Sequence, residues 1–214
     1  MRKIITNNIK EINLMSEKYR KYLTSVKYDN KLYYFVFGTD LNNDSIDYIV
    51  IDSLNRMLFY DSIDNLIKYI YKDSSNSYDS KNFHIWISQI RNHIDHKLEY
   101  SYAFYNIDFI YSAFIQKSML YINKLKRKNL EEFINFINLV NDYALQTENK
   151  YLRKLTKDDS IRSLWDYYYN IDIWMKEKES SFEFLFKNFN EINFRINLAK
   201  IFSIFVSKIH FVTK

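Results

Sequence analysis

Lys31-Leu32-Tyr33-Tyr34-Phe35-Val36-Phe37-Gly38 is a short run of aromatic and β-branched residues, and polar Thr39-Asp40-Leu41-Asn42-Asn43-Asp44-Ser45 follows it. The polar stretch has strong turn chemistry, because Asp, Asn and Ser side chains bond to their own nearby backbone. A second run, Ile46-Asp47-Tyr48-Ile49-Val50-Ile51-Asp52, ends at Ser53-Leu54-Asn55, and a third is Arg56-Met57-Leu58-Phe59-Tyr60. Runs of strand length punctuated by turns predict three antiparallel strands in a small meander. Residues 46–60 also admit a helical reading, since periodicity does not separate helix from strand in short apolar runs.

Helical spacing surrounds this core on both sides. Ile5, Ile9, Ile12, Tyr19 and Leu23 predict an opening helix over 3–23. Asp61-Ser62 can cap a helix whose Ile63, Leu66, Ile67 and Ile70 form one apolar stripe. Asp73-Ser74-Ser75-Asn76-Ser77-Tyr78-Asp79-Ser80 then reads as a loop. Everything beyond residue 81 reads as helix. Phe83, Trp86, Ile87, Ile90 and Ile94 share a face, and 107–125 is apolar on most sides. Leu130, Phe133, Ile137, Val140 and Ala144 step by three and four. Asp158 or Asp159 can cap a helix carrying Ile161, Leu164, Trp165, Tyr168 and Met175. Leu185, Phe189, Ile192, Ile196, Ala199, Phe202 and Val206 describe a closing helix. The expected fold is α+β and predominantly helical. A small N-terminal three-stranded antiparallel layer packs on a five- to six-helix assembly. One domain spans 1–214, with 1–72 and 81–214 as its two parts.

Composition narrows function by exclusion. The chain has one glycine (Gly38), no proline and no cysteine in 214 residues. Phosphate cradles and nucleophile elbows need several glycines, and zinc ribbons and redox sites need cysteine. An AT-rich genome alone produces such a bias toward Ile, Asn, Lys, Tyr and Phe. The net charge is +5 and the pI about 9.0. The compact basic run Lys124, Lys126, Arg127 and Lys128 reads as a helix end, where cations meet the negative pole of the helix dipole. Nucleic acid is therefore not the expected partner. No segment reaches the ~20 apolar residues that span a bilayer, so no membrane partner is expected. Met1-Arg2-Lys3-Ile4-Ile5-Thr6-Asn7-Asn8 turns polar too soon for a signal peptide, and the expected compartment is the cytoplasm.

Few residues present themselves for chemistry. His93 and His96, three apart beside Asp95 and Glu99, have metal-ligand spacing but no evident third ligand, and read as surface histidines. Glu131-Glu132 and Asp158-Asp159 sit where helices should begin, where acids are favourable. No metal or cofactor is expected. Tyr167-Tyr168-Tyr169 with Trp165 and Trp174 forms an aromatic cluster, and consecutive helical residues cannot all face one core. Tyr and Trp anchor protein interfaces, so Tyr167, Tyr168, Tyr169 and Trp174 are candidate partner-binding residues. The acidic turn carrying Asp40, Asp44 and Asp47 offers Asp40 and Asp44 as candidates for a basic partner.

Two family resemblances follow. The meander leading to Phe59-Tyr60-Asp61-Ser62-Ile63-Asp64-Asn65-Leu66-Ile67-Lys68-Tyr69-Ile70 is one carrier. With Phe136-Ile137-Asn138-Leu139-Val140-Asn141-Asp142-Tyr143-Ala144-Leu145-Gln146, it resembles immunity proteins of bacterial polymorphic and contact-dependent toxin systems. That resemblance implies a non-catalytic cytoplasmic protein that binds and neutralises a cognate toxin domain. The basic pI departs from the acidic character common in inhibitors of nuclease toxins. Separately, Arg91-Asn92-His93-Ile94-Asp95-His96 resembles the Arg-Asn-x-x-x-His signature of HEPN-type ribonucleases. It implies Arg91 and His96 as catalytic residues. On one continuous helix residues five apart point about 140° apart. That pair would need the helix to end between them, or a dimer. The immunity reading leads and the ribonuclease is the alternative.

Overall fold

The computed structural model describes residues 2–42, 47–72, 79–94, 100–116, 127–169 and 189–213. They form a mixed α+β fold in two compact units, one of residues 1–104 with 208–214, the other of residues 105–207. In the first unit α1 (Arg2–Tyr19) leads into β1 (Lys21–Tyr28), β2 (Lys31–Thr39), β3 (Asp47–Ile49) and β4 (Met57–Tyr60). Helices α2 (Ile63–Lys72) and α3 (Ser80–Ile90) follow, then β5 (Ala103–Asn106), of which residues 103 and 104 belong to this unit, and β6 (Ile209–Val212) returns to the unit from the far end of the chain.

The sheet corrects the expected three-stranded antiparallel layer. Six strands are present among the described residues, in the order β5-β1-β2-β4-β6, with β3 also paired to β2. Three were not anticipated. The opening helix stops at Tyr19, and 21–28 is a strand paired antiparallel with β2 from Lys21↔Gly38 to Tyr28↔Lys31. The turn between them, Asp29-Asn30, has φ of 51° and 59°. Two consecutive positive φ values are the signature of the two-residue hairpin turn whose twist matches the strands. Strands β5 and β6 fall where helix was expected throughout. Strand β6 pairs parallel to β4, from Met57↔Ile209 to Tyr60↔Val212. The predicted strands at 31–38 and 56–60 are present, and the middle run is a short strand plus an Ile51↔Met57 bridge.

Alternation along the strands separates two apolar faces. Leu23, Tyr34, Val36, Leu58 and Tyr60 join Ile12 of α1, Leu66 and Ile70 of α2, and Phe83, Trp86, Ile87 and Ile90 of α3 in one buried cluster. The opposite face carries Tyr33, Phe35, Phe59 and Phe211, with Phe35 and Phe59 rings stacked at 5.1 Å and Tyr33 tilted against Phe211 at 4.7 Å. Ser62 caps α2, its Oγ accepting the Asn65 N–H at 3.2 Å, and the four-residue stripe behind it is buried as its spacing required.

One polar knot lies within this apolar unit. Lys21 and Asp79 side chains are both fully buried and meet at 2.9 Å. The Lys21 ammonium also donates to the Thr39 carbonyl at 2.7 Å and the Tyr19 carbonyl at 3.1 Å, so all three of its protons have acceptors. Asp79 Oδ1 accepts from Asn42 and Asn82 side chains, and Oδ2 from the Leu41 N–H. Burial alone pushes the Asp79 carboxyl up, but the Lys21 bond and charge and the Leu41 N–H outweigh it and hold it below the usual carboxylate range. Asp52 is held low in the same way by Arg56, His210 and the Leu54 N–H against its own burial.

Depressed carboxyls stabilise the fold above the unfolded value of about 3.9, and that stability is lost as pH falls through the lower folded values. The thermal midpoint is expected to stay flat from about pH 7 to 5 and to fall steeply below about pH 4. Asp79→Asn is expected to lower the midpoint at neutral pH and to flatten the acid limb. Calorimetry across pH on both proteins reads the two effects, and an unchanged acid limb would refute the assignment.

The second unit holds α4 (Ile107–Ile110), a π-helical continuation (Tyr111–Gln116), α5 (Arg127–Gln146), α6 (Lys150–Thr156), α7 (Asp159–Tyr167) and α8 (Glu191–Ser207). Its core is aromatic: Phe133 packs at 5.4 Å from both Phe114 and Phe194, and Phe136 at 5.4 Å from Phe205. Arg195 of α8 donates to the Ile115 carbonyl at 3.2 Å. Asp158 rather than Asp159 caps α7, accepting the Ser160 N–H at 3.0 Å. The α5 face follows its predicted spacing. The α8 face does not: Phe194, Leu198, Ile201 and Phe205 are buried, whereas Ile192 is 72% exposed and Ile196 47%. This helix is apolar on nearly every side, so its own periodicity does not choose the inward face. Leu185 and Met175, expected on helices here, lie outside the described residues.

Candidate functional site

A concave polar cleft among the described residues belongs wholly to the second unit. Helix α5 supplies Ile137, Asn138 and Asn141, the α6 end supplies Thr156 and Lys157, and α7 supplies Arg162, Trp165 and Asp166, around a cleft of about 400 Å³. Helical spacing explains the groups: 137, 138 and 141 lie on one side of α5, and 162, 165 and 166 on one side of α7. Asn149 caps α6 by accepting the Leu152 N–H at 3.0 Å, and Asp158 caps α7, so both short helices are pinned at their starts.

Trp165 is the wall of the cleft and is held in place. Its indole N–H donates to Asn138 Oδ1 at 2.9 Å, and Asn138 Nδ2 donates to the Tyr169 hydroxyl at 3.0 Å. Trp165 and Tyr169 rings lie 4.3 Å apart, and Tyr168 meets Tyr169 edge-on at 5.2 Å. Trp165 still keeps 37% of its surface exposed. A clamped aromatic that remains accessible loses little entropy when it is covered by a partner. Arg162 Nε and Asp166 Oδ2 are 3.3 Å apart at the surface. The cleft offers apolar area, amide and hydroxyl bonds and charge, with neither a histidine nor a thiol among its lining residues.

The residues singled out in the sequence distribute unevenly around this site. Tyr168 and Tyr169 join it and are half-buried, but Tyr167 is 4% exposed and packs inward, which narrows the expected 167–169 surface to two residues. Trp174 and Asp44 lie outside the described residues. Asp40, in the first unit, is half-buried and accepts the Asn42 N–H at 2.8 Å, tightening its own turn. Arg91 is exposed at the C-terminal end of α3, its guanidinium 5.8 Å from the Tyr71 ring. Helix α3 ends at Ile90, so the Arg91–His96 string does not lie on one continuous helix. His96, with Asp95 and Glu99, lies outside the described residues, and His93 is half-buried in the turn. Glu132 is pushed up by burial despite the Asn106 N–H and the nearby Lys128. No three metal-ligating side chains come together among the described residues.

One cluster escaped sequence reasoning. His210 Nδ1 lies 3.0 Å from Asp52 Oδ2, and Arg56 reaches the same carboxylate at 2.8 Å. Asp52 also accepts the Leu54 and Arg56 N–H groups at 2.9 Å. Its lone pairs are thereby consumed in closing the 52–56 turn and tying β6 to it, a structural use rather than a catalytic one. Asp52 and Arg56 have visible i,i+4 spacing, but nothing local announces a partner 158 residues away.

No protein-family model matches the chain, and no curated protein matches it. Among solved structures, the C-terminal domain of SatS, determined in complex with bromine, is similar with a TM-score of 0.55 at 10% identity. The likeness covers 92% of this chain and 96% of that one, and it is a likeness of fold alone. No helix among the described residues is long and apolar enough to cross a membrane.

Proposed function

We propose that this chain is a non-catalytic binding protein that recognises a protein partner, in the manner of the toxin-neutralising immunity proteins that residues 59–70 and 136–146 resemble. The observation that carries the reading is Trp165, clamped by Asn138 and Tyr169 yet open to solvent beside the α5–α7 cleft. Aromatic residues so placed supply most of the energy of protein interfaces. The buried charges contribute to this reading too, since Asp79, Lys21 and Asp52 are engaged in holding the fold. A chain without cysteine suits a reducing compartment, and the cytoplasm is the proposed place of action. The reading requires no cofactor and no nucleic acid.

The test is co-purification with the product of the adjacent gene, coupled to growth rescue when that product is expressed as a toxin. Wild type should capture the partner and restore growth, and Trp165→Ala should weaken capture about 30-fold, the scale of an interface hot spot. Failure of wild type to capture or protect would overturn the reading. RNA cleavage that is lost in Arg91→Ala and His96→Ala would replace it with the ribonuclease.

A further inference from the structure

The lining of the α5–α7 cleft carries a charge pattern that its aromatic wall alone does not explain. Lys157 and Arg162 supply two cations, and Asp166 supplies one carboxylate, which already faces Arg162 Nε. Both cations are exposed. The whole chain is also cationic, at +5. At about 400 Å³ the cleft is at the small end of ligand sites, which run to roughly 1,000 Å³. It has room for an anchor side chain and its neighbour, not for a helix. Trp165 supplies its exposed apolar surface, since Ile137 is buried, while Asn141 and Thr156 line it with an amide and a hydroxyl. The only bond joining those two, from Thr156 Oγ1 to Asn141 Oδ1, is long at 3.5 Å. Thr156 Oγ1 is held by the Arg153 carbonyl at 3.1 Å and the residue is buried, so the half-buried Asn141 amide is the group that can turn toward the backbone of a bound segment.

Resting on the binding-protein reading, we infer that this cleft receives an acidic-aromatic anchor from the partner. An aromatic ring lies against Trp165, and an adjacent carboxylate sits with Lys157 and Arg162. The guanidinium fork matches a carboxylate, and the lysine adds a point charge. An aromatic ring on the indole gains stacking beyond its buried area. The partner surface is therefore acidic, the complement of this chain and the reverse of the basic toxins that acidic inhibitors meet.

The experiment uses two end-capped fluorescent peptides, Ser-Asp-Phe-Asp-Ser and Ser-Lys-Phe-Lys-Ser, titrated with the full chain and followed by anisotropy. The acidic peptide should bind saturably and weaken with added salt, and the basic one should not bind. Lys157→Glu and Arg162→Glu should each reduce affinity at least about 10-fold. Both cations are exposed, so neither change should disturb folding. Trp165→Phe should retain most of the binding and Trp165→Ala should lose it. Equal binding of both peptides, binding of neither, or indifference to charge reversal would overturn the anchor assignment. Capture of the adjacent-gene product separates the two levels. If capture depends on Trp165 but not on Lys157 or Arg162, the anchor fails and the binding-protein reading stands. If wild type captures nothing, that reading fails.

Discussion

Lys21→Met is expected to destabilise the first unit by about 3–5 kcal/mol, the cost of removing one member of a buried ion pair. Methionine replaces the stem of the lysine well, so little packing is lost. What is lost is the cation. Asp79 then remains fully buried with its Oδ2 facing an apolar sulfur, and the carbonyls of Thr39 and Tyr19 lose their donor. Four segments meet at this ammonium: the end of α1, the start of β1, the end of β2 and the start of α3. The penalty is therefore not confined to one element. Urea unfolding followed by circular dichroism reads the change. The double variant Lys21→Met with Asp79→Asn should recover part of the loss, because the amide still accepts from Leu41 and is no longer a bare charge. A loss under about 1 kcal/mol in the single variant would show that the pair is solvated and that the knot does not hold these elements.

Gly38→Ala is the second large effect, expected at about 3 kcal/mol, the upper range for overpacking a well-filled interior. A methyl built on Gly38 would stand 2.2 Å from the Arg20 carbonyl oxygen and 2.9 Å from Lys21 Cα. Both are backbone atoms and neither can rotate away. The chain approaches this closely because Arg20, at φ 49°, turns sharply out of α1, and its carbonyl accepts the Thr39 N–H at 2.9 Å. Gly38 has no positive φ, so its requirement is space and not conformational freedom. The methyl would force β1 from β2 at Lys21↔Gly38 and strain the Lys21 knot one residue away. Thermal unfolding should drop by about 10 °C, taking roughly 2–4 °C per kcal/mol for a chain of this size. A midpoint within about 2 °C of wild type would mean that the strands part there without cost. The single glycine of the chain thus has a use that sequence exclusion did not supply. It serves a helix-to-strand corner.

Legibility in the sequence followed how local each determinant was. The strands of 31–39 and 57–60 declared themselves because aromatic and β-branched residues were packed between turn formers. The stripes of α2, α3 and α5 declared themselves because only one face of each is apolar. Strand β1 did not, since Leu23 fitted the helical spacing of Ile5, Ile9 and Ile12. The Asp29-Asn30 turn was the signal that would have ended the helix early. Four-residue β5 and β6 are too short for any period to show, and β6 exists by pairing parallel to a strand about 150 residues earlier. In the candidate site, the aromatic cluster at 165–169 was visible as composition. Its division was not: Tyr167 turns in, while Trp165 stays open because Asn138, 27 residues upstream, holds its indole.

By itself the sequence determined the α+β class, the apolar faces of the helices with a single stripe, and the shortage of glycine and cysteine that removes phosphate loops and thiol chemistry. These are properties of local spacing and of residue type, and they survive any arrangement of the elements. Tertiary structure alone decided the six-strand order, the inward face of the all-apolar α8, the pairing of Lys21 with Asp79 and of Asp52 with His210, and the cleft around Trp165. Each of those depends on which distant residue supplies a hydrogen-bond acceptor, a charge or a packing surface. Burial makes such partners obligatory, because an unpaired polar group or an uncovered apolar face inside the protein costs more than the fold can spare.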